Sequence, residues 1–203
     1  MGVALWLVPS QSASHDLQQI MDFRSSQSKS SSSKSYSNFH PHITLASGIP
    51  SSVSTTSLLA CIPEHAALPV EFKSLEVGET YFRSVFLAIH ASPNLSGLHQ
   101  HINNELKKLD GVEPRSPCFP HLSLFYIDDS EAEERQMIAD ELLSSGRVVK
   151  DGRDRIVLDC FIDKHTVRHE LSGFDGVEVW IVNCEGQVRQ WEALAKVDLT
   201  ARS

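Results

Sequence analysis

Apolar positions along this chain recur at strand spacing in most segments and at helical spacing in four. Residues 3–8 form an apolar run that reads as a first strand, and residues 11–23 follow as a short helix with Leu17, Ile20 and Met21 inward. Strand-like patterns return over residues 40–46, 70–77, 81–90, 121–127, 155–162, 177–184 and 188–198. A weaker helix fits 55–62. A clearer one fits 94–108, where Leu95, Leu98, Ile102, Leu106 and, just beyond, Leu109 keep to one face. Ser130 with Glu133 three positions on predicts a capping box, opening a helix that runs to about Leu143 with Gly146 as its stop. Strands and helices mix without a steady βα alternation, which predicts an α+β architecture with antiparallel sheets rather than a doubly wound one.

One stretch has no pattern. Residues 25–37 hold nine serines in thirteen positions and cannot bury enough apolar surface to offset their ordering entropy, so they are expected to form a mobile loop. The N-terminal apolar run has no basic segment before it and is too short for a secretory signal or a membrane span. Gly2 suggests myristoylation, but Trp6 stands where that motif needs Ser or Thr. Cys61, Cys118, Cys160 and Cys184 form no Cys-x-x-Cys, so reduced thiols and a cytoplasmic location are the default expectation.

Composition adds two facts. With 203 residues, 26 Asp and Glu against 18 Lys and Arg give a net charge of −8, which argues against a long nucleic acid held through a basic surface. A small phosphorylated ligand stays open. The chain also has ten histidines, which raises the question of metal.

Comparing the chain with itself answers that question. Phe39-His40-Pro41-His42-Ile43-Thr44-Leu45 and Cys118-Phe119-Pro120-His121-Leu122-Ser123-Leu124 share the pattern Pro-His-apolar-hydroxyl-Leu, with His42 and His121 79 positions apart. On a strand, His42 and Thr44 share one face and Ile43 and Leu45 the other; His121 and Ser123 likewise oppose Leu122 and Leu124. Two related halves facing each other would bring two imidazoles and two hydroxyls together across a cleft. Hydroxyls can hydrogen-bond non-bridging phosphate oxygens, while one histidine takes a proton from water and the other gives one to the leaving oxygen. This chemistry needs no metal and no cofactor. The remaining histidines complete no ligand set: His40 lacks an acidic or thiol partner at usual spacing, and His99 and His101 point about 200° apart on a helix. His165 and His169 would meet only on a helix, and His15, His65 and His90 have no evident partner.

These motifs resemble the paired His-x-Ser/Thr signatures of the 2H phosphoesterase superfamily, and more narrowly the cyclic nucleotide phosphodiesterases of fungi and plants. The opening Ala4-Leu5-Trp6-Leu7-Val8-Pro9, the Tyr81-Phe82 strand, Pro120 to Tyr126, and the closing Cys184-Glu185-Gly186 with Trp191-Glu192 match that pattern. The closing elements point to the fungal branch. The likeness covers the whole chain apart from the serine stretch and roughly residues 147–176. It implies a bilobal, pseudo-symmetric fold spanning residues 1–203 as one domain, with two antiparallel sheets facing a central cleft and helices outside. It implies metal-independent opening of nucleoside 2′,3′-cyclic phosphates to 2′-phosphates, and of ADP-ribose 1″,2″-cyclic phosphate, a by-product of tRNA splicing, to the 1″-phosphate. Carried over by position, His42 and His121 are the acid–base pair, Thr44 and Ser123 the phosphate ligands, and Trp6, Phe82 and Tyr126 the cleft wall. His121 is assigned as base and His42 as acid; the near-symmetry of the two motifs also allows the reverse. Trp6 and Phe82 read nearly as well as core residues of apolar strands. Tyr126 falls on the Leu122 and Leu124 face unless the strand twists or ends before it. The resemblance also admits a Golgi association, and a monomer acting on small cyclic nucleotides is expected. Two alternatives stand beside this reading: processing of 2′,3′-cyclic RNA ends, and nucleotide binding without catalysis.

Overall fold

The computed structural model describes residues 2–152, 154–160 and 169–199. Among these residues, ten strands and four helices occur in the order β1 (Val3–Pro9), α1 (Gln11–Met21), β2 (Ile43–Ile49), α2 (Thr55–Ala60), β3 (Leu68–Thr80), β4 (Arg83–Ile89), α3 (Pro93–Leu106), β5 (His121–Phe125), α4 (Ala132–Ser144), β6 (Val148–Lys150), β7 (Ile156–Asp159), β8 (Glu170–Leu171), β9 (Gly173–Asn183) and β10 (Glu192–Asp198). Seven strands form one antiparallel sheet in the order β1-β2-β5-β4-β3-β9-β10, and β6-β7-β8 form a smaller second sheet.

The large sheet curls back on itself. One edge of β9 pairs with β1 from Asn183 to Gly176. Its other edge carries β10 from Asn183 to Glu178 and β3 from Gly176 to Gly173. The strands thus fall into two groups, β2-β1-β9-β10 and β3-β4-β5, which touch at the β3–β9 end and again between β2 and β5. That second junction is narrow, with a single Cα pair, Ile43 opposite Leu122. Both side chains are fully buried.

Every residue of β1 is buried, because the strand has neighbours on both edges and packing on both faces. Its period-2 alternation divides the molecule. Val3, Leu5 and Leu7 enter the main core, while Ala4, Trp6 and Val8 join Val182 and Cys184 in a separate cluster on the opposite face. The main core fills the space between the sheet and helices α1, α3 and α4 on its outer surface, into which α3 sends Leu95, Leu98, Ile102 and Leu106 as its spacing predicts.

Three expectations change. The capping box at Ser130 does not form: a 3-10 turn at Asp129–Glu131 precedes α4, and it is Asp128 whose carboxylate accepts from the Ser130 amide. Residues 188–198 begin with a 3-10 turn at Val188–Gln190 before β10, and the Trp191 ring that follows it packs against both apolar clusters. Tyr81 and Phe82 form the turn of the β3–β4 hairpin rather than part of a strand, closed by the pair Thr80 and Arg83. Of the strand expected over 155–162, residues 161 and 162 lie outside the described residues, as does His165. Among the described residues, no helix is long and apolar enough to cross a membrane.

The serine-rich stretch carries no helix or strand, but it has partners. The carboxylate of Glu131 accepts from Ser30 Oγ (2.6 Å), the amides of Ser31 (2.8 Å) and Ser32 (2.9 Å), and Ser35 Oγ (2.6 Å). Asp128 accepts from Ser32 Oγ and Glu134 from Tyr36 Oη.

Candidate active site

The narrow junction builds the site. With Ile43 opposite Leu122 in an antiparallel register, the flanking pairs are His42 against Ser123 and Thr44 against His121. Ile43 and Leu122 point into the core, so all four flanking side chains emerge on the other face. The candidate site thus sits where the two strand groups meet, each motif facing the other in reverse. Trp6 lies directly across from Thr44 in the β1–β2 register and shares that face.

These residues line a cavity of about 400 Å³, a size suited to a small ligand. All seven residues singled out from the sequence line it: Trp6, His42, Thr44, Phe82, His121, Ser123 and Tyr126. Trp6 reaches the cavity because it lies on the β1 face turned away from the main core. Phe82 reaches it from the hairpin turn. Tyr126 reaches it because β5 ends at Phe125, which frees the next residue from strand alternation.

The two histidines are held alike. His42 Nδ1 lies 2.6 Å from the carbonyl oxygen of His40, and His121 Nδ1 lies 3.1 Å from that of Cys118. A carbonyl only accepts, so each Nδ1 carries the hydrogen and each Nε2 keeps its lone pair for the cavity. Trp6 stacks on the His42 ring at 3.7 Å between centroids and 10° between planes, fixing it in rotation. Phe86 packs edge-on against His121 at 5.4 Å.

Both rings are pushed toward the neutral form. Burial lowers the His42 pKa to about 3, opposed by its bond to the His40 carbonyl and helped by the nearby His121. Burial also lowers His121; the Cys118 carbonyl opposes this and the Arg83 charge adds to it. Ser123 Oγ donates to the Phe82 carbonyl at 3.0 Å, which couples the β5 hydroxyl to the hairpin turn.

The cavity has two unlike ends. Around the Trp6 and His42 side, Phe82, Tyr126 and Trp191 form an aromatic group with centroids 5.3 to 6.1 Å apart. Toward the end of β2 the lining turns polar, with Ser47, Gly48, Arg115 and Ser116. Arg83 donates to Cys118 Sγ beside His121. Among the described residues, no Asp or Glu lines the cavity, although the chain is acidic overall. Arg83, Arg115 and Trp191 escape the sequence reading as site residues, since a lone arginine outside any repeat has the same pattern as a surface residue. His99, also outside the motifs, holds the segment before His121 by stacking on Phe119 at 3.8 Å and bonding Ser116 Oγ at 2.6 Å. Among the described residues, no group of three or more His, Cys, Asp or Glu is placed to hold a metal ion.

This architecture has solved counterparts. E. coli LigT complexed with 3′-AMP matches it with a TM-score of 0.56 at 14% identity, covering 98% of each chain. A structure described as a phosphoesterase matches with 0.58 at 11% identity, again covering 98% of each. The fold is therefore the α+β fold of LigT-type phosphoesterases. The model of the cyclic phosphodiesterase-like protein family matches residues 1–199, and the chain belongs to that family. A 2′,3′-cyclic-nucleotide 3′-phosphodiesterase of Neurospora crassa is 26% identical over 221 aligned residues, covering 96% of this chain and 98% of that protein. One of Kluyveromyces lactis is 25% identical over 181, covering 78% and 82% respectively.

Proposed function

We propose that this chain hydrolyses nucleoside 2′,3′-cyclic phosphates to nucleoside 2′-phosphates, and ADP-ribose 1″,2″-cyclic phosphate to the 1″-phosphate, through His42 and His121 without a metal. The observation that carries this reading is the pair of Nδ1-anchored imidazoles, both presenting Nε2 to one carboxylate-free cavity. The names of the two fungal relatives support the 2′,3′-cyclic substrate.

The mechanism follows from proton bookkeeping. His121, neutral and less buried than His42, takes a proton from a water as its oxygen attacks phosphorus. The bond from phosphorus to the 3′-oxygen breaks, and His42 gives that oxygen its proton from Nε2. Thr44 and Ser123 donate to the non-bridging oxygens, Ser123 turning its hydrogen away from the Phe82 carbonyl, and Arg83 offsets the growing negative charge. His42 is neutral in the free protein, so it takes up its proton with the anionic substrate, whose charge opposes the effect of burial. The aromatic end receives the base by stacking.

His42→Ala and His121→Ala should each lower kcat by about 10² to 10⁴-fold, the usual worth of a positioned acid or base. EDTA should leave the wild-type rate unchanged. Full activity in either variant would overturn the assignment, and loss of activity on chelation would overturn the metal-free mechanism.

A further inference from the structure

The two arginines of the cavity stand in different places. Arg83 lies beside His121 and serves the reacting phosphate. Arg115 belongs to the other end, away from the aromatic group, and is held there by its backbone: the Ser47 amide donates to the Arg115 carbonyl (2.7 Å), the Arg115 amide to the Ser47 carbonyl (2.9 Å), and Ser47 Oγ to the Arg115 carbonyl (2.8 Å). Its stem lies over Gly48, where a Cβ would stand 3.7 Å from its Cδ and 3.8 Å from its Cγ. Gly48 has φ +74, a conformation a larger residue rarely adopts, so the bed for the Arg115 stem is fixed by the chain. Among the described residues no carboxylate pairs with Arg115, although acidic residues outnumber basic ones 26 to 18 in the chain.

The position matches one feature of a nucleotide. Ser47 lies three residues past Thr44, about 10 Å along an extended strand, within the combined reach of a ribose and an arginine side chain. A ribose carries its base at C1′ and, at C4′, the C5′ methylene that bears the 5′-oxygen, on opposite flanks of the 2′,3′ edge. With the cyclic phosphate between the histidines and the base among Trp6, Phe82, Tyr126 and Trp191, the 5′-oxygen points to the Arg115 end.

We propose that Arg115 forms a second anion subsite that takes a phosphate on the 5′-oxygen, so that the preferred substrates carry a phosphate there besides the cyclic one. This rests on the cyclic phosphodiesterase reading. The guanidinium binds this group as a charge-assisted donor and touches no reacting atom.

The test compares adenosine 2′,3′-cyclic phosphate with its 5′-phosphorylated counterpart, and in parallel the binding of adenosine 2′-phosphate with that of adenosine 2′,5′-bisphosphate. Wild type should favour the 5′-phosphorylated member of each pair by about tenfold to a hundredfold, the worth of a hydrogen bond to a charged group, expressed in KM rather than kcat. Arg115→Ala should bring both ratios close to one, and Arg115→Lys should keep part of them. Equal handling of the two members by wild type, or ratios unchanged in Arg115→Ala, overturns the subsite. Because binding needs no turnover, preferential bisphosphate binding without hydrolysis of either cyclic phosphate would uphold the subsite and sink the catalytic reading instead.

Discussion

His42 is neutral at physiological pH because nothing in its surroundings offsets the cost of burying its charge except one main-chain carbonyl. That has a consequence for stability. The unfolded chain binds a proton at this residue below about pH 6.5, whereas the folded chain does not until about pH 3. Stability is therefore complete above the unfolded value and falls as the pH drops below it. Burial lowers His40, His99 and His121 in the same direction, so His42 contributes one part of the slope. Denaturant midpoints measured from about pH 7 down to about pH 4.5 should fall steadily. His42→Phe, which retains a ring against Trp6, should flatten the profile; an unchanged slope would show that this imidazole is not buried neutral. His42 and His121 were legible in the sequence because each repeats the same neighbours, and strand alternation then puts hydroxyl and imidazole together. Arg115 was not, because its place depends on a loop pairing with Ser47, 68 positions away.

At the scale of elements, the β2–β5 junction and the serine-rich segment make opposite points. The junction was foreshadowed by sequence, since the expected chemistry needs the two motifs to meet, although not that they would do so through a single residue pair. The serine-rich segment was recognisable only as lacking a core of its own. Its partners Glu131, Asp128 and Glu134 lie about a hundred positions downstream on α4 and the turn before it, where no local pattern reports them. The Ser30 and Ser35 hydroxyls and the Ser31 and Ser32 amides converge on Glu131 and, led by the bond from Ser30, hold its carboxyl down to about 2. The arrangement also touches the site: the Tyr36 amide donates to the Tyr126 carbonyl at 2.7 Å, and Tyr81 Oη to the Lys34 carbonyl at 3.0 Å. Glu131→Ala should therefore make Lys29 and Lys34 the earliest tryptic sites, cut several-fold faster than in wild type. Equal rates in the two proteins would show that these hydrogen bonds do not hold the segment. Acidification toward pH 2 should reproduce the effect with an acid-active protease, since the folded carboxylate is lost only there.

The whole molecule joins an acidic composition to a cavity lined, among the described residues, by two arginines, two histidines and no carboxylate. Such a field disfavours a long polyanion along the surface while leaving one local place for a small anion. Composition gave the first half of this contrast, and only the folded cavity gives the second. Because the two motifs are pseudo-symmetric, burial decides the proposed direction of proton transfer: His42, the more enclosed and Trp6-stacked ring, is the proposed acid, and His121 the proposed base. The proposed two-histidine, metal-free hydrolysis stands or falls on the product formed from adenosine 2′,3′-cyclic phosphate in the presence of EDTA. Adenosine 2′-phosphate alone should form, about 10² to 10⁴-fold more slowly in His42→Ala and His121→Ala than in wild type. Adenosine 3′-phosphate as product, or no hydrolysis by the intact protein, would contradict it.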